Sequence, residues 1–429
     1  MINKILYALT GIFCLTLITL WSTPHKKAPL TTAPASVAQV ETSATPSVSV
    51  PDKHSVKASL IAPLTQANKT PIEAPAPQVI NSHKFALRNL ALKEVAFTQL
   101  PGWDTADAKK SLQAFQQSCQ TFLHQKPAQN IGPQQLKIRV RDWQPVCKEA
   151  ININYISDDA AREFFESHFH ALEFKQRAPA KGVFTGYYTP RLKGSLTKTA
   201  QYNTPIYGLP RPQKGEKGRH YYTRAEIDNG AIKNKAPVVA WISSPVDRLF
   251  MEIEGAGVIQ LSDGKNLYLS YAGQNGAPYT SIASVLIRQG VMTKNTASKT
   301  AIKRYLENNP KRASSILHQN KSFVFFEPVN KPMALGAQGM GLTPGYSLAV
   351  DKKWIPLGAP LWLATKKPNQ QQFQRLMIAQ DTGGAIQGAI RGDVYWGSSK
   401  KAAWLGEHMK NQGRYWLLLP KPAFDRLAA

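Results

Sequence analysis

The sequence predicts a mainly β fold with a few helices, its C-terminal part forming a small barrel. Three observations lead there. Beyond Lys181 the chain breaks into short apolar and aromatic segments separated by Gly and Pro. The densest run covers residues 322–326, 346–350, 360–364, 376–379, 393–396 and 414–419, a succession that suits a barrel better than an open parallel sheet. Helical periodicity, by contrast, is confined to a few stretches.

Taken in order, the chain opens with Met1-Ile-Asn-Lys4 and an uncharged run from Ile5 to Trp21, followed by Lys26 and Lys27. Residues 1–21 read as a membrane anchor or an export signal. Lipid attachment at Cys14 is disfavoured, because Gly11-Ile12-Phe13 lacks a small residue directly before the cysteine. Each alternative sends the body of the protein out of the cytoplasm. Residues 22–84 are rich in Pro, Ala and Thr, cannot bury enough apolar surface to fold, and read as a flexible linker.

Folded sequence begins near Phe85. A helix is expected over 104–123, with Ala108, Leu112, Phe115, Cys119 and Phe122 on one face. A second is expected over 158–174, from Ala161, Phe165, Phe169 and Leu172. Strands follow at 182–188, 238–242, 258–261 and 267–271, and short helices at 282–288 and 298–307. Residues 402–409 are a helix or turn within the β-dense block.

The 429 residues carry a formal charge of +26. The basic residues are scattered, and no zinc-finger, homeodomain or RNP signature occurs, so nucleic acid is not the expected partner. An anionic polymer of another kind fits. Cys119 and Cys147 remain for a compartment in which disulfides persist; a bridge and two buried thiols are the alternatives. His168 and His170 lie two apart in an expected helix and point to different faces, so no metal site is expected, and no cofactor.

The most informative stretch runs from Ile378 to Asp393. An apolar strand ends in Asp381; Gly383, Gly384, Gly388 and Gly392 form a turn; Asp393 opens the aromatic strand Val394-Tyr395-Trp396. Glycines let a polymer approach the backbone, and two carboxylates at the mouth of such a turn suit acid/base work. The same residues equally describe a glycine-rich β-turn with solvated aspartates.

Six segments then occur in order: Phe184-Thr-Gly-Tyr-Tyr-Thr-Pro190, Met251-Glu-Ile-Glu-Gly-Ala-Gly257, Asn320-Lys-Ser-Phe-Val-Phe-Phe326, Leu342-Thr-Pro-Gly-Tyr-Ser-Leu-Ala-Val-Asp351, Ile355-Pro-Leu-Gly358 and the Asp381–Asp393 segment. Over about residues 181–419 the chain resembles the membrane-bound lytic murein transglycosylase A family, with its C-terminal three-aspartate domain. Two positions depart from that pattern: Ala256 stands where Ser is expected, and Tyr346 where Arg is expected.

The resemblance implies a double-psi β-barrel interrupted in sequence by a second, smaller β-barrel-like domain, with a glycan strand in the groove between them. The barrel and its helical lead-in would take residues 85–189 and 320–429, and the insertion residues 190–319. It implies non-hydrolytic cleavage of the β-1,4 bond between N-acetylmuramic acid and N-acetylglucosamine in peptidoglycan, leaving 1,6-anhydromuramoyl ends. Asp393 would be the acid/base and Asp381 its charged neighbour. Asp351 completes the trio, either at the substrate or as a cap on its turn.

Further groove candidates are Thr185, Tyr187 and Tyr188, which combine hydroxyls with aromatic faces, although a Tyr pair in a strand is commonly half core. Glu254, Gly255 and Gly257 would form the opposing wall or an ordinary glycine hairpin. Gln274 and Asn275 reach acetamido groups or form a turn; Gly383 and Gly384 flank the carboxylates. Trp396 stacks on sugar or plugs the barrel, and Glu327 sits on the rim. Alternatives of other classes are a peptidoglycan hydrolase and a non-catalytic wall-binding barrel. The expected protein is a monomeric periplasmic enzyme tethered to the inner or outer membrane and open to cell-wall synthesis or division complexes.

Overall fold

The computed structural model describes residues 84–87, 90–175, 181–211 and 222–428. The expectations for the anchor and most of the linker lie outside the described residues. An N-terminal part contains β1 (Lys84–Leu87), β2 (Leu90–Val95), α1 (Ala108–His124), α2 (Gln144–Ala150), α3 (Asp158–His168) and β3 (Phe169–Lys175). Next come β4 (Gly182–Tyr187), β5 (Arg191–Ser195), β6 (Thr204–Tyr207), α4 (Arg224–Asp228), β7 (Val238–Ile242), α5 (Pro245–Glu254), β8 (Ala256–Gln260) and β9 (Asn266–Gln274). Helices α6 (Ile282–Arg288), α7 (Lys299–Asn308) and α8 (Pro310–Leu317) lead to β10 (Val324–Val329). The C-terminal part holds β11 (Ser347–Val350), β12 (Pro360–Lys366), β13 (Gln372–Asp381), β14 (Arg391–Tyr395), α9 (Lys400–His408), β15 (Lys410–Pro420) and α10 (Lys421–Ala428).

The fold is mainly β, as the sequence predicts. Six strands close a ring in the order β15-β12-β13-β11-β14-β4 and back to β15. Within it β11–β13 and β14–β4 are parallel, and the other pairings antiparallel. Closure depends on the length of β15. Its residues 410–413 pair with β4, 414–417 with β12, and 416–420 with β3, which carries β2 and β1 outward. Closing the ring leaves these six strands no edge facing solvent. Apolar side chains from most of them fill the core, among them Phe184, Leu348, Val350, Leu361, Met377, Ile378, Val394 and Leu417, each fully buried.

A second, six-stranded sheet in the order β10-β9-β8-β5-β7-β6 is inserted between β4 and β11. Its end strands β6 and β10 come within contact of each other. Helices α5 to α8 pack over a separate apolar cluster of Val246, Leu249, Leu286, Ile302, Leu306 and Ile316. Because β10 pairs with β9, residues 324–329 belong with this sheet, beyond the expected end of the insertion at Gln319.

The helix expected over 158–174 stops at His168. Phe169–Lys175 is instead a strand paired on both sides, to β15 and to β2. Phe169, Ala171, Leu172 and Phe174 are buried on both of its faces, so their spacing satisfies a strand as well as a helix, and the two ladders decide. A disulfide joins Cys119 of α1 to Cys147 of α2.

Candidate active site

The two aspartates meet through strand register rather than through the turn between them. Ala349 of β11 lies opposite Asp381 on one side and opposite Asp393 on the other. At about 4.8 Å between neighbouring strands, the two carboxylates stand two strands apart at one level of the barrel. Thr185 of β4 is in turn opposite Asp393 in the parallel β14–β4 ladder, and Tyr187 opposite Tyr395. One ring of backbone pairings thus brings together Asp381, Asp393, Thr185 and Tyr187.

The carboxylates have different partners. Asp393 keeps 17% of its side chain exposed and accepts a hydrogen bond from Thr185 Oγ1 at 2.8 Å. Arg391 donates to the same threonine oxygen at 2.8 Å and stands 4.0 Å from the carboxylate. Burial raises the Asp393 pKa to about 7; Arg391 and Thr185 oppose the rise, and the charges of Glu254 and then Asp381 add to it. Asp393 therefore holds its proton through the acidic range and exchanges it near neutrality. Burial is thus the largest cause, ahead of the charged neighbour Asp381.

Asp381 is tied to three donors: Tyr187 OH at 2.8 Å, Thr382 N at 2.9 Å and Ala337 N at 3.0 Å. Its pKa is also raised by burial, with these hydrogen bonds acting against the rise. Burial, then the charge of Asp381, holds the Tyr187 hydroxyl well above its ordinary value, so it remains a donor.

From the insert comes Glu254, the last residue of α5, followed by Gly255 in the left-handed region at φ +74°. Its carboxylate accepts from Tyr188 N at 3.1 Å and from Lys299 Nζ at 3.0 Å. Lys299 also donates to Tyr188 OH at 2.7 Å and lies 3.8 Å from Glu407 of α9, which accepts from that same hydroxyl at 2.7 Å. Nearby, Tyr187 and Tyr395 of the barrel pack with Ala256 of β8 and with Ala334 and Leu342. Ala256 is buried in this cluster, where the expected serine would bring a hydroxyl that needs a partner.

Not every expected residue reaches the cleft. Asp351 is buried and accepts from Lys353 N at 3.0 Å and from Gly388 N at 2.9 Å, which pins the turn between the aspartates. Gly257 is buried against Met251, whose side chain would have to shift to admit a Cβ. Asn275 spends its amide on the backbone of Tyr222, Lys321, Phe323 and Ala277. Gln274 and Glu327 are exposed on β9 and β10. Gly383 and Gly384 are exposed beside Asp381, with open space at Gly384. Trp396 packs on Phe373 with ring centroids 5.2 Å apart. At the second departure, the Tyr346 hydroxyl donates to Asp107 and Arg375 stacks on its ring at 4.3 Å, so a cation still stands at that spot.

Sequence reasoning missed Arg391, Lys299 and Glu407. Arg391 was within reach, two positions before Asp393 on one strand and so on its face. Lys299 offered no signal, being one basic residue on an amphipathic helix far along the chain.

Comparison with known proteins points to one family. The model of the MltA specific insert domain matches residues 183–327, and that of the 3D domain residues 346–419. Membrane-bound lytic murein transglycosylase A of Escherichia coli (strain K12) is 37% identical over 247 residues, which is 56% of this chain and 66% of that protein, slightly under two thirds of its length. A crystal structure of E. coli MltA with bound chitohexaose is 29% identical, with a TM-score of 0.57 over 72% of this chain and 90% of that one. The crystal structure of MltA from Neisseria gonorrhoeae in its monoclinic form is 31% identical, with a TM-score of 0.68 over 79% of this chain and 95% of that one. Both domain models match in order and that relative is covered almost end to end, so this chain belongs to the membrane-bound lytic murein transglycosylase A family.

Proposed function

We propose that this protein is a peptidoglycan lytic transglycosylase. It cleaves the β-1,4 bond between N-acetylmuramic acid and N-acetylglucosamine without water and leaves 1,6-anhydromuramoyl ends. The observation that carries this reading is the asymmetry of the two aspartates. Asp393 is reachable and exchanges a proton near pH 7, whereas Asp381 is committed to three donors. Hydrolases need a second working carboxylate to activate water or bind the sugar covalently. An attack by the muramoyl C6 hydroxyl on its own C1 brings its nucleophile along, at a high effective concentration.

In this scheme Asp393 gives its proton to the leaving glycosidic oxygen and then takes the proton of the C6 hydroxyl as the new ring closes. Atoms balance without water. Thr185 and Arg391 orient the Asp393 carboxyl. Asp381 holds the Tyr187 hydroxyl toward the cleft, and its charge favours the positive character developing at C1. Glu254, on the insert wall, holds the Tyr188 backbone and extends the anionic side of the cleft.

The glycan runs between barrel and insert, and the chitohexaose bound by the E. coli relative supports a β-linked sugar chain as the ligand class. The relatives' description as membrane-bound supports a membrane-tethered envelope enzyme, and residues 1–21, read as an anchor or export signal, support a periplasmic location. A +26 charge helps hold the enzyme on an anionic polymer.

Digestion of purified murein sacculi followed by mass spectrometry tests the assignment. Products lighter by one water than hydrolytic ends are expected. Asp393→Asn should lower their release at least about a thousandfold while sacculus binding persists, since the carboxamide cannot supply the proton. Hydrolytic ends, or appreciable activity in that variant, would overturn the reading.

A further inference from the structure

We propose that a second site, on the barrel surface beside the cleft, binds a carboxylate carried on a flexible branch of the glycan substrate. The proposal rests on the function proposed above, in that the glycan backbone lies in the cleft.

The site is a cavity of about 330 Å³ whose walls include Lys367, Arg375, Lys401, Trp396 and Trp404. No Asp or Glu is among its lining residues. Lys367 follows β12, Arg375 is on β13, Trp396 follows β14, and Lys401 and Trp404 are on α9. Three cations converging on one hollow repel one another unless an anion joins them. Among the described residues neither Lys367 nor Lys401 has an ion-pair partner, and the nearest acid to Arg375 is Asp107 at 3.8 Å. Burial, followed by the charges of Arg375 and Lys401, pushes the Lys367 ammonium pKa down, a crowding that a bound anion would relieve.

Two further features point to an acceptor ligand. Arg375 Nε is a buried donor without a protein partner, on a residue that lines the cavity. A buried donor left unpaired costs about 1–3 kcal/mol, so an acceptor delivered here is favoured. Trp404 is 46% exposed and offers an indole face to the aliphatic part of an incoming group.

Strand and helix rises scale the separation from the cleft. Trp396, on the near wall, is three residues along the strand direction from Asp393, about 10 Å, and Arg375, on the far wall, is six residues before Asp381 on β13, about 20 Å, both at 3.3 Å per residue. Lys401 and Glu407 are six residues apart on α9, about 9 Å at 1.5 Å per residue, and Glu407 joins the Lys299–Glu254 cluster of the cleft wall. A group carried directly on the sugar ring seated at Asp393 falls short of that distance. A branch of about three to six extended residues spans that gap, and the lactyl-linked stem peptide of murein is such a branch and carries carboxylates. The hollow fits one small group and not the flat face of a membrane.

The test compares glycan strands bearing stem peptides with the same strands after the stems are removed. For the full chain carrying Lys367→Gln and Lys401→Gln together, kcat/KM on stem-bearing strands should fall about tenfold, mainly through KM, with no change on bare strands. Equal losses on both substrates, or no loss on either, would overturn the proposal. A wild type inactive on both would instead sink the proposed function, and a direct titration then decides this site. A soluble stem tripeptide, followed by tryptophan fluorescence, should bind at least tenfold more weakly to the double variant, and more weakly to wild type once its carboxylates are amidated. Binding insensitive to both changes, or tryptophan quenching only by anionic phospholipid vesicles, would refute the carboxylate site. Trp404→Ala should weaken the titration without altering turnover of bare strands.

Discussion

The two walls of the cleft hold their charged groups by different physics. On the barrel wall, Asp393, Asp381 and Thr185 are placed by strand register, in a ring whose core residues are fully buried. Backbone ladders fix these Cα positions whatever the protonation state of the side chains. On the insert wall, Glu254 terminates a helix and is held by one ammonium, Lys299, shared with Tyr188 and Glu407. Geometry there depends on charge. Under the proposed function, the barrel wall holds a group that gains and loses a proton, and the insert wall holds groups that keep their charges.

Removing the shared ammonium should have the largest effect of the changes considered next. Lys299→Met leaves Glu254, 10% exposed, without its cation. Breaking such a mostly buried pair costs about 2–3 kcal/mol, somewhat less than for a fully buried one. Burial already raises the Glu254 pKa above 4.5, with Lys299 the main influence against that rise. Without Lys299 the folded pKa rises further. A carboxyl with a raised folded pKa loses stability as pH climbs from its unfolded value through the folded one. Thermal melts should therefore show a greater loss at pH 8 than at pH 5. A loss independent of pH would show that the insert wall is held by packing rather than by charge.

The matching change on the barrel wall is Asp351→Ala, and its effect should be smaller. It strands the N–H groups of Lys353 and Gly388, at about 1–2 kcal/mol in total because the turn is partly solvated. Denaturant midpoints would record this, with Asp351→Asn recovering part of it. Since the ladders stay intact, turnover should fall by less than about tenfold. A collapse of activity comparable to that of Asp393→Asn would place Asp351 at the substrate instead.

Legibility follows the same division. Asp381 and Asp393 stand out in sequence because carboxylates next to clustered glycines are unusual in an apolar strand context, and β14 keeps Arg391 on the same face as Asp393. Their closeness to Thr185 was not readable, since a parallel pairing between strands some two hundred residues apart leaves no local mark. Lys299 was invisible for a related reason: its role depends on a docking of α7 that nothing in its own helix encodes. Gly257 shows the opposite failure. A glycine beside a candidate carboxylate suggests a ligand approach, yet this one makes room for Met251. Residues 169–174 were misread because Phe165, Phe169 and Leu172 fit a helical stripe, and only the strands on either side make them β.

The smallest effect is the most discriminating. Arg391 opposes protonation of Asp393 from 4.0 Å, while Asp381 favours it more weakly. Arg391→Gln removes the cation, so the Asp393 pKa should move up from about 7, by roughly half to one unit at such a screened distance. The acid form then persists to higher pH, and the alkaline limb of kcat/KM shifts upward by the same amount. Asp381→Asn acts with the opposite sign and less strongly, moving that limb slightly down. A downward shift in the Asp381 variant larger than the upward shift in the Arg391 variant would mean that the proton on Asp393 is held chiefly by its carboxylate neighbour. Burial in the barrel wall would then be secondary, and the contrast between a wall set by register and a wall set by charge would fail.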